Sequence, residues 1–158
     1  MSEVTFKING LEGIEKKLKE LPDKFAYRGM RRALRRGANV IRDHARRNAK
    51  NLDDPATREA IYKNIAVAGG GRKRERQVGG PMMRVGVRGG ARFNPAADGL
   101  PGGNTTGYWR LLEFGTSRQR AQPFMRNAIV TGAEPAIGAI VKASEIELDK
   151  ELKKLNVP

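Results

Sequence analysis

The sequence predicts an α+β fold: a small antiparallel sheet packed on one side by a long basic helix and a C-terminal helix, with long flexible loops. Two long segments repeat apolar residues at the spacing of amphipathic helices, and short apolar runs bounded by Gly are typical of strands. A length of 158 residues favours a single domain, residues 1–158, with flexible loops at about 69–80 and 89–107.

The first predicted elements are a short strand and a short helix. Val4 to Ile8 alternates apolar and polar residues and ends at Asn9-Gly10, which is typical of a half-buried strand followed by a turn. Leu11 to Leu21 carries its apolar residues on one helical face. Pro22 then begins the next helix, because its fixed φ suits a first helical position.

The strongest predicted helix covers residues 23–49. Its apolar stripe faces a core, and at 1.5 Å per residue its length is about 40 Å. Between Arg28 and Arg47 the helix carries eight Arg and one Asp. An Arg face of this density is either solvated or met by a neighbour. We expect a subunit interface on it that includes Arg31, Arg32, Arg35, Arg36 and Arg42.

A hairpin is predicted in the middle of the chain. Residues 65–68 and 82–87 are short apolar runs and are expected to pair as antiparallel strands. Between them, residues 69–80 have Gly at both ends and charge in the centre, which indicates a flexible basic tip. Residues 89–107 contain no predicted element and are expected to be an interaction loop or a segment that a partner orders.

Positive charge is concentrated in this middle region. The chain has 31 Lys and Arg against 17 Asp and Glu, a net charge of +14. Between Arg72 and Arg92 there are seven basic residues and one Glu. Charge focused in this way predicts an acidic protein surface or a nucleic acid as partner. The candidate contact residues are Arg72, Lys73, Arg74, Arg76, Arg84, Arg88, Arg118 and Arg120.

Residues 108–128 form the most distinctive segment, with the only Trp of the chain. Gly115 can take the positive φ of a sharp turn, and Pro123 suits the start of a helix, so the basic loop between them is pinned at both ends. We expect Phe114 and Phe124 to pack at the base of this loop, which would hold it up for a partner.

The last predicted helix begins near Ala133 and ends at Leu155. Its apolar residues follow a near-heptad stripe, and its other face has the mixed charges of a solvated surface. Pro135 is expected in the first turn, where Pro is tolerated.

A motif runs through the distinctive segment: Glu113-Phe114-Gly115-Thr116-Ser117, a polar spacer, then Ala121-Gln122-Pro123-Phe124-Met125-Arg126 and Ala128. It resembles the signature of the tail-completion, or head–tail joining, proteins of long-tailed bacteriophages. The residues that carry the resemblance are Tyr108, Trp109, Glu113, Phe114, Gly115, Thr116, Pro123, Phe124 and Ala128.

The resemblance implies a non-enzymatic structural subunit of the virion neck or tail that assembles in the host cytoplasm. Its implied partners are other copies of itself in a ring, a hexamer or a dodecamer, and neighbouring neck, connector or tail-tube proteins. Packaged DNA in the channel is a further candidate partner.

Residues suited to catalysis or metal binding are scarce. The absence of Cys excludes disulfides, thiolate zinc sites and Cys nucleophiles. His44 is the only His, and no G-x-S-x-G sequence occurs. Asp53 and Asp54 are more typical of helix caps than of metal ligands. We therefore expect no enzyme activity, no catalytic or metal-binding residues and no cofactor. No apolar run has the length of a membrane span, so no membrane partner is expected.

Nonspecific nucleic-acid binding through the Arg-rich helix and the basic loop is the alternative function. Arg contacts to phosphates supply affinity without reading sequence. The basic stretches lack interleaved aromatic residues and known DNA-reading motifs. Assembly is favoured because it also accounts for the pinned loop, and the two functions are compatible because DNA passes through a neck channel.

Overall fold

The computed structural model describes residues 11–52, 61–88 and 109–155. Its elements in chain order are α1 (Leu11–Glu20), α2 (Asp23–Lys50), α3 (Ile61–Asn64), β1 (Ile65–Gly69), α4 (Arg72–Val78), β2 (Met83–Val87), α5 (Trp109–Phe114) and α6 (Phe124–Lys154). The predicted α+β class is confirmed, with a small sheet, a long basic helix and a long C-terminal helix. The predicted strand at 4–8, the caps Asp53 and Asp54, Tyr108 and the predicted loop 89–107 lie outside the described residues.

The sheet confirms the predicted hairpin pairing. The Gly70 N–H donates to the Met82 carbonyl at 2.8 Å, and the Arg88 N–H donates to the Asn64 carbonyl at 2.8 Å. Residue numbers therefore fall along β2 as they rise along β1, which is antiparallel pairing. In the part of the chain that the structure describes, the sheet has two strands.

The tip of this hairpin is a helix, where the sequence predicted a flexible loop. Gly71 and Gly79 flank α4 with φ values of 83° and 74°. The N–H of Gly79 donates to the Arg76 carbonyl at 3.3 Å, and the N–H of Gly80 donates to the Glu75 carbonyl at 3.1 Å. Glycines at these positions end a short helix, and Arg, Lys, Glu and Gln between them are good helix formers. The prediction was wrong because these glycines mark the two ends of a helix and do not make the segment between them flexible.

The C-terminal helix starts earlier than predicted. α6 is one helix of 31 residues from Phe124, and Pro135 lies inside it instead of in its first turn. A proline removes one backbone hydrogen bond, but a helix continues through it when packing on both sides sustains the element. Ala128 before the proline and Leu148 after it are both buried.

The chain divides into two compact units, each with its own core. The first comprises Met1–Val40, Gly69–Arg84 and Glu134–Pro158, and the second comprises Ile41–Ala68 and Val85–Ala133. In the first unit the buried core residues are Ile14, Leu21 and Leu148. In the second they are Ala45, Ala49, Ile61, Ile65, Phe124 and Ala128. The single domain expected from chain length stays a prediction. No helix among the described residues combines the length and the apolar character that crossing a membrane requires.

Glycine allows α2 and α6 to approach closely within the first unit. A Cβ at Gly37 would lie 2.3 Å from Cγ1 of Ile140 and 2.9 Å from the Ala136 carbonyl oxygen. A Cβ at Gly29 would lie 2.9 Å from Cδ2 of Leu148. Both distances to Gly37 are below any real van der Waals contact, so glycine in this helix permits packing that offsets its low helix propensity.

An ionic network around two buried carboxylates also joins α2 to α6 in the first unit. Nε of Arg32 lies 2.6 Å from Oε2 of Glu147, and the same guanidinium donates to Glu151, which has no exposed surface. Lys150 and Lys154 each donate to one of these carboxylates at 3.0 Å. Burial raises the pKa of both carboxyls, but hydrogen bonds from the lysines and Arg32 outweigh it, so each pKa lies below its ordinary value.

Replacing Arg32 with Met is expected to lower the free energy of unfolding by about 1–3 kcal/mol at about pH 7, because two buried carboxylates lose a donor. Arg35→Met is the matched control on the same helix. The Arg35 side chain is exposed, so its loss should change stability by less than about 0.5 kcal/mol. Urea unfolding followed by circular dichroism measures both, and equal stability of the two variants would contradict the role of the network.

The effect of this variant should also depend on pH. The pKa values of Glu147 and Glu151 are lower in the folded chain than in the unfolded chain, where they are about 4.3. The stabilisation is therefore present above about pH 4.3 and is lost as the pH falls through the folded values. Arg32→Met should differ from the wild type less at about pH 3 than at about pH 7.

Candidate functional site

The loop between α5 and α6 turns at a glycine that no other residue can replace without strain. Gly115 has a φ of 77°. A Cβ at this position would lie 2.8 Å from the backbone nitrogen of Ala121 and 3.0 Å from the carbonyl oxygen of Gln119. The chain therefore folds back tightly on itself here, as the sequence predicted for this glycine.

Hydrogen bonds within the loop give it a defined shape. The Thr116 N–H donates to the Gln119 carbonyl at 2.9 Å. The Thr116 hydroxyl accepts from the backbone N–H of Arg118 at 3.2 Å and of Gln119 at 3.0 Å. The Gln122 N–H donates to the Leu112 carbonyl at 2.7 Å, which closes the loop onto α5. This local bonding is typical of Thr in turns.

The Glu113 carboxylate anchors the start of α6. It accepts the backbone N–H groups of Met125 and Arg126 at 2.9 and 3.0 Å and the Nε of Arg126 at 3.2 Å. A second guanidinium nitrogen of Arg126 donates to the Glu113 carbonyl. Glu113 is only 2% exposed, yet both oxygens have donors. A carboxylate here satisfies N–H groups that the first turn leaves unpaired and complements the helix dipole.

The two predicted anchor residues differ in burial. Phe124 is buried, its ring meets that of Trp109 edge-on with centroids 6.5 Å apart, and its carbonyl accepts from Asn48 at 3.1 Å. Phe114 is 65% exposed, so the expectation that it packs at the base of the loop was wrong. Glu113 takes the inward position on α5, and because successive helical residues point about 100° apart, Phe114 faces outward.

The predicted contact residues are all exposed. Arg72, Lys73, Arg74, Arg76 and Arg84 belong to the first unit, and Arg88, Arg118 and Arg120 belong to the second. Their exposure is compatible with contact to a partner, and that role stays a prediction.

The only acid of α4 points inward. Glu75 accepts a hydrogen bond of 2.7 Å from the Tyr27 hydroxyl and lies 3.5 Å from Nη1 of Arg31. The Tyr27 hydrogen bond lowers the pKa of Glu75 against the opposing effect of burial. The outer surface of α4 is therefore positive, with Arg72 and Arg76 lining a cleft of about 340 Å³ beside Tyr27.

Most of the arginines expected at a subunit interface take part in ion pairs within the chain. Arg31 pairs with α4, and Arg32 and Arg36 pair with carboxylates of α6, Arg36 at 3.9 Å. Arg42 pairs with its neighbour on α2 at 2.8 Å, and Arg35 is exposed. Sequence analysis missed the α6 partners, although two Glu at a spacing of four residues on the inner face of α6 were a signal for them. The interface role of these residues stays a prediction.

The surroundings of His44 are those of a packed helix flank. Its Nδ1 lies 3.1 Å from the Thr131 hydroxyl, and its ring lies against Gly132. Within the described ranges, no three His, Asp or Glu side chains converge as a metal site would require.

Comparison with known proteins identifies one family. Residues 12–115 match the family model described as "Bacteriophage HK97-gp10, putative tail-component". The match extends from α1 through α5 and ends at Gly115, so the loop that follows and α6 lie beyond it. No curated protein and no solved structure matched the chain.

Replacing Gly115 with Ala is expected to lower the free energy of unfolding by more than about 1 kcal/mol, because Ala is strained at positive φ and its Cβ meets the loop backbone. Gly138→Ala is the matched control. It lies within α6 with nothing near its Cβ position, so it should stabilise the protein by up to about 1 kcal/mol. Thermal and urea unfolding measure both. If the two substitutions shifted stability in the same direction, the strained turn at Gly115 would be refuted.

Replacing Glu113 with Gln is expected to destabilise the protein by about 1–2 kcal/mol, because the amide presents one acceptor where the carboxylate presents two and lacks the charge that pairs with Arg126. Glu134→Gln makes the same change at an exposed position of α6 and should stay within about 0.5 kcal/mol. Urea unfolding compares the two. Indistinguishable stabilities would mean that the carboxylate does not anchor α6.

Proposed function

Because the chain belongs to the HK97-gp10-like family of bacteriophage tail components, we propose that it is a ring-forming structural protein at the head–tail junction or tail end of the virion. The observation that carries the proposal is the family match over residues 12–115. The chain is then a part of the particle that acts by docking, with the virion as its location and the host cytoplasm as the place of its assembly. Its partners are other copies of itself and neighbouring neck, connector or tail-tube proteins.

Two exposed elements support docking. α4 presents four basic side chains outward and turns its only acid inward. The loop from Thr116 to Gln122 is closed by its own hydrogen bonds and exposes Arg118 and Arg120. Elements that are fixed before a partner arrives lose little conformational entropy on binding.

Ring assembly requires two different complementary surfaces on each subunit. Two such surfaces are the Arg-rich face of α2, where Arg35 and Arg36 are exposed, and α6, which carries five basic and five acidic residues. We propose a closed ring, a hexamer or a dodecamer, that surrounds the channel through which DNA passes.

Imaging of assembled particles tests the location. We expect copies of this chain arranged as a closed ring in the neck or at the tail end. Native mass spectrometry of the purified chain, alone and with purified connector or tail tubes, measures the stoichiometry. Particles that lack the chain altogether would refute the proposal.

Reversing the charge of three residues of α4 is expected to abolish docking while the subunit stays folded. The variant carries Arg72→Glu, Lys73→Glu and Arg74→Glu, all at exposed positions, and it keeps the inward-facing Glu75. Incorporation into particles should fall by more than about tenfold, because a positive docking surface becomes negative. The free energy of unfolding should change by less than about 1 kcal/mol.

The control makes the same change in charge elsewhere in the first unit, with Lys16→Glu, Lys19→Glu and Lys24→Glu, which are also exposed. It should enter particles as the wild type does. An equal loss for both triple variants would show that net charge alone governs incorporation, and the docking role of α4 would be rejected.

Nonspecific DNA binding is a second candidate function, favoured by the outward-facing basic residues of α4. It predicts duplex affinity that falls steeply as salt rises. Tight binding of free duplex by the isolated subunit at physiological salt would support it. Duplex binding that is lost at that salt would leave protein docking as the function of α4.

A further inference from the structure

The second unit exposes large apolar side chains on α5 and α6. Val130 is 81% exposed, and Leu111, Phe114 and Ile129 are each more than half exposed. A single exposed apolar residue is ordinary, but contiguous groups of large ones mark interaction surfaces in proteins that are not membrane-bound.

Contacts and helical spacing join them into one surface. The Arg126 guanidinium carbon lies 5.3 Å from the centroid of the Phe114 ring. Ile129 and Val130 follow Arg126 by three and four positions on α6, and Leu111 precedes Phe114 by three on α5. Residues at these spacings are neighbours on a helix face. We call this set the Phe114 surface: Leu111, Phe114, Arg126, Ile129 and Val130.

The centre of the Phe114 surface is held in place before any partner arrives. Arg126 covers the Phe114 ring and donates to the Glu113 carboxylate at 3.2 Å. Glu113 is itself buried and bonded to the first turn of α6. A fixed aromatic ring beside an Arg is the type of group that dominates binding energy at interfaces, since little order is lost on binding.

The charge around this surface is positive. Residues 109–134 contain four Arg and two acids, of which Glu113 is buried and Glu134, four positions after Val130, is exposed. An apolar surface that includes Arg126 and lies in a segment of net positive charge is complementary to a protein segment that combines apolar side chains with Asp and Glu. A DNA backbone satisfies the arginines through phosphates but offers nothing apolar for Ile129 and Val130 to bury against.

A second copy of this chain does not supply the complementary segment from its described residues. α1 has three Lys and three Glu, and α6 has five basic and five acidic residues, two of the latter buried. α2 and α4 are strongly basic. No helix within the described ranges carries net negative charge, which favours a different protein as the complementary partner.

We propose that the Phe114 surface docks an amphipathic acidic segment of a different virion protein. The proposal rests on the proposed role as a tail component and names the chemistry of one partner. It assigns a function to Phe114, Ile129 and Val130, whose exposure the packing of the subunit does not explain.

Photo-crosslinking in assembled particles tests the identity of the occupant. The full chain with p-benzoylphenylalanine at Val130 is supplied to phage that lack the wild-type chain, and purified particles are irradiated. We expect a crosslink to another virion protein, within a segment that contains Asp or Glu among apolar residues. A crosslink to DNA or to a second copy of this chain, or none in particles that contain the chain, would overturn the proposal. Absence of the chain from particles would overturn the proposed function as well.

Substitutions at one position separate charge from loss of apolar contact. Val130→Asp should reduce incorporation into particles by more than about tenfold, because it sets a carboxylate against an acidic partner. Val130→Lys loses the same apolar contact but gains attraction, so its loss should be several times smaller. Equal losses for Asp and Lys would contradict an acidic partner.

Lys153→Gln is the matched control, since it lowers the net charge by the same one unit at an exposed position near the other end of α6. It should enter particles as the wild type does. All three variants should unfold at wild-type urea concentrations, because none of the substituted side chains is buried. A loss for Lys153→Gln as large as that for Val130→Asp would remove the Phe114 surface as the site of docking.

Discussion

The surface of the second unit depends on one buried carboxylate. Glu113 accepts the N–H groups at the start of α6 and holds the Arg126 guanidinium over the Phe114 ring. The same side chain therefore determines where the helix begins, where the loop before it ends and how an exposed aromatic ring is presented. Burial of an acid is tolerated here because every acceptor has a donor.

The first unit also buries acids against donors, although one carboxylate oxygen of Glu75 and one of Glu151 have no hydrogen-bond partner. Glu75 on α4 accepts from Tyr27, and Glu147 and Glu151 on α6 accept from Arg32 and from lysines of their own helix. In both units, these particular carboxylates are largely buried while the arginines that pair with them stay partly exposed. The described surface is consequently more basic than the composition alone implies, and this strengthens the expectation of acidic partners.

Local signals made much of the fold predictable. The periodicity of α2 and the short apolar runs of β1 and β2 were sufficient for their assignment, as was Gly115 for the turn before the loop. Two predictions failed because the residue pattern is compatible with two structures. Glycines that flank α4 are also typical of a flexible loop, and a proline such as Pro135 is also typical of a helix start. The exposed arginines of the candidate site were predicted. Their partners were not, because Arg32 and Glu151 lie 119 positions apart in the chain and no local pattern links them.

The inward turn of Glu75 has a consequence for how copies of the chain would meet in the proposed ring. Free subunits all show the same positive α4, and a net charge of +14 makes them repel one another at distances up to about 8 Å in physiological salt. Random clustering in the cell is thereby opposed. An oppositely charged scaffold removes the repulsion. Electrostatics therefore favours binding of subunits directly to such a scaffold and disfavours association of free subunits with one another.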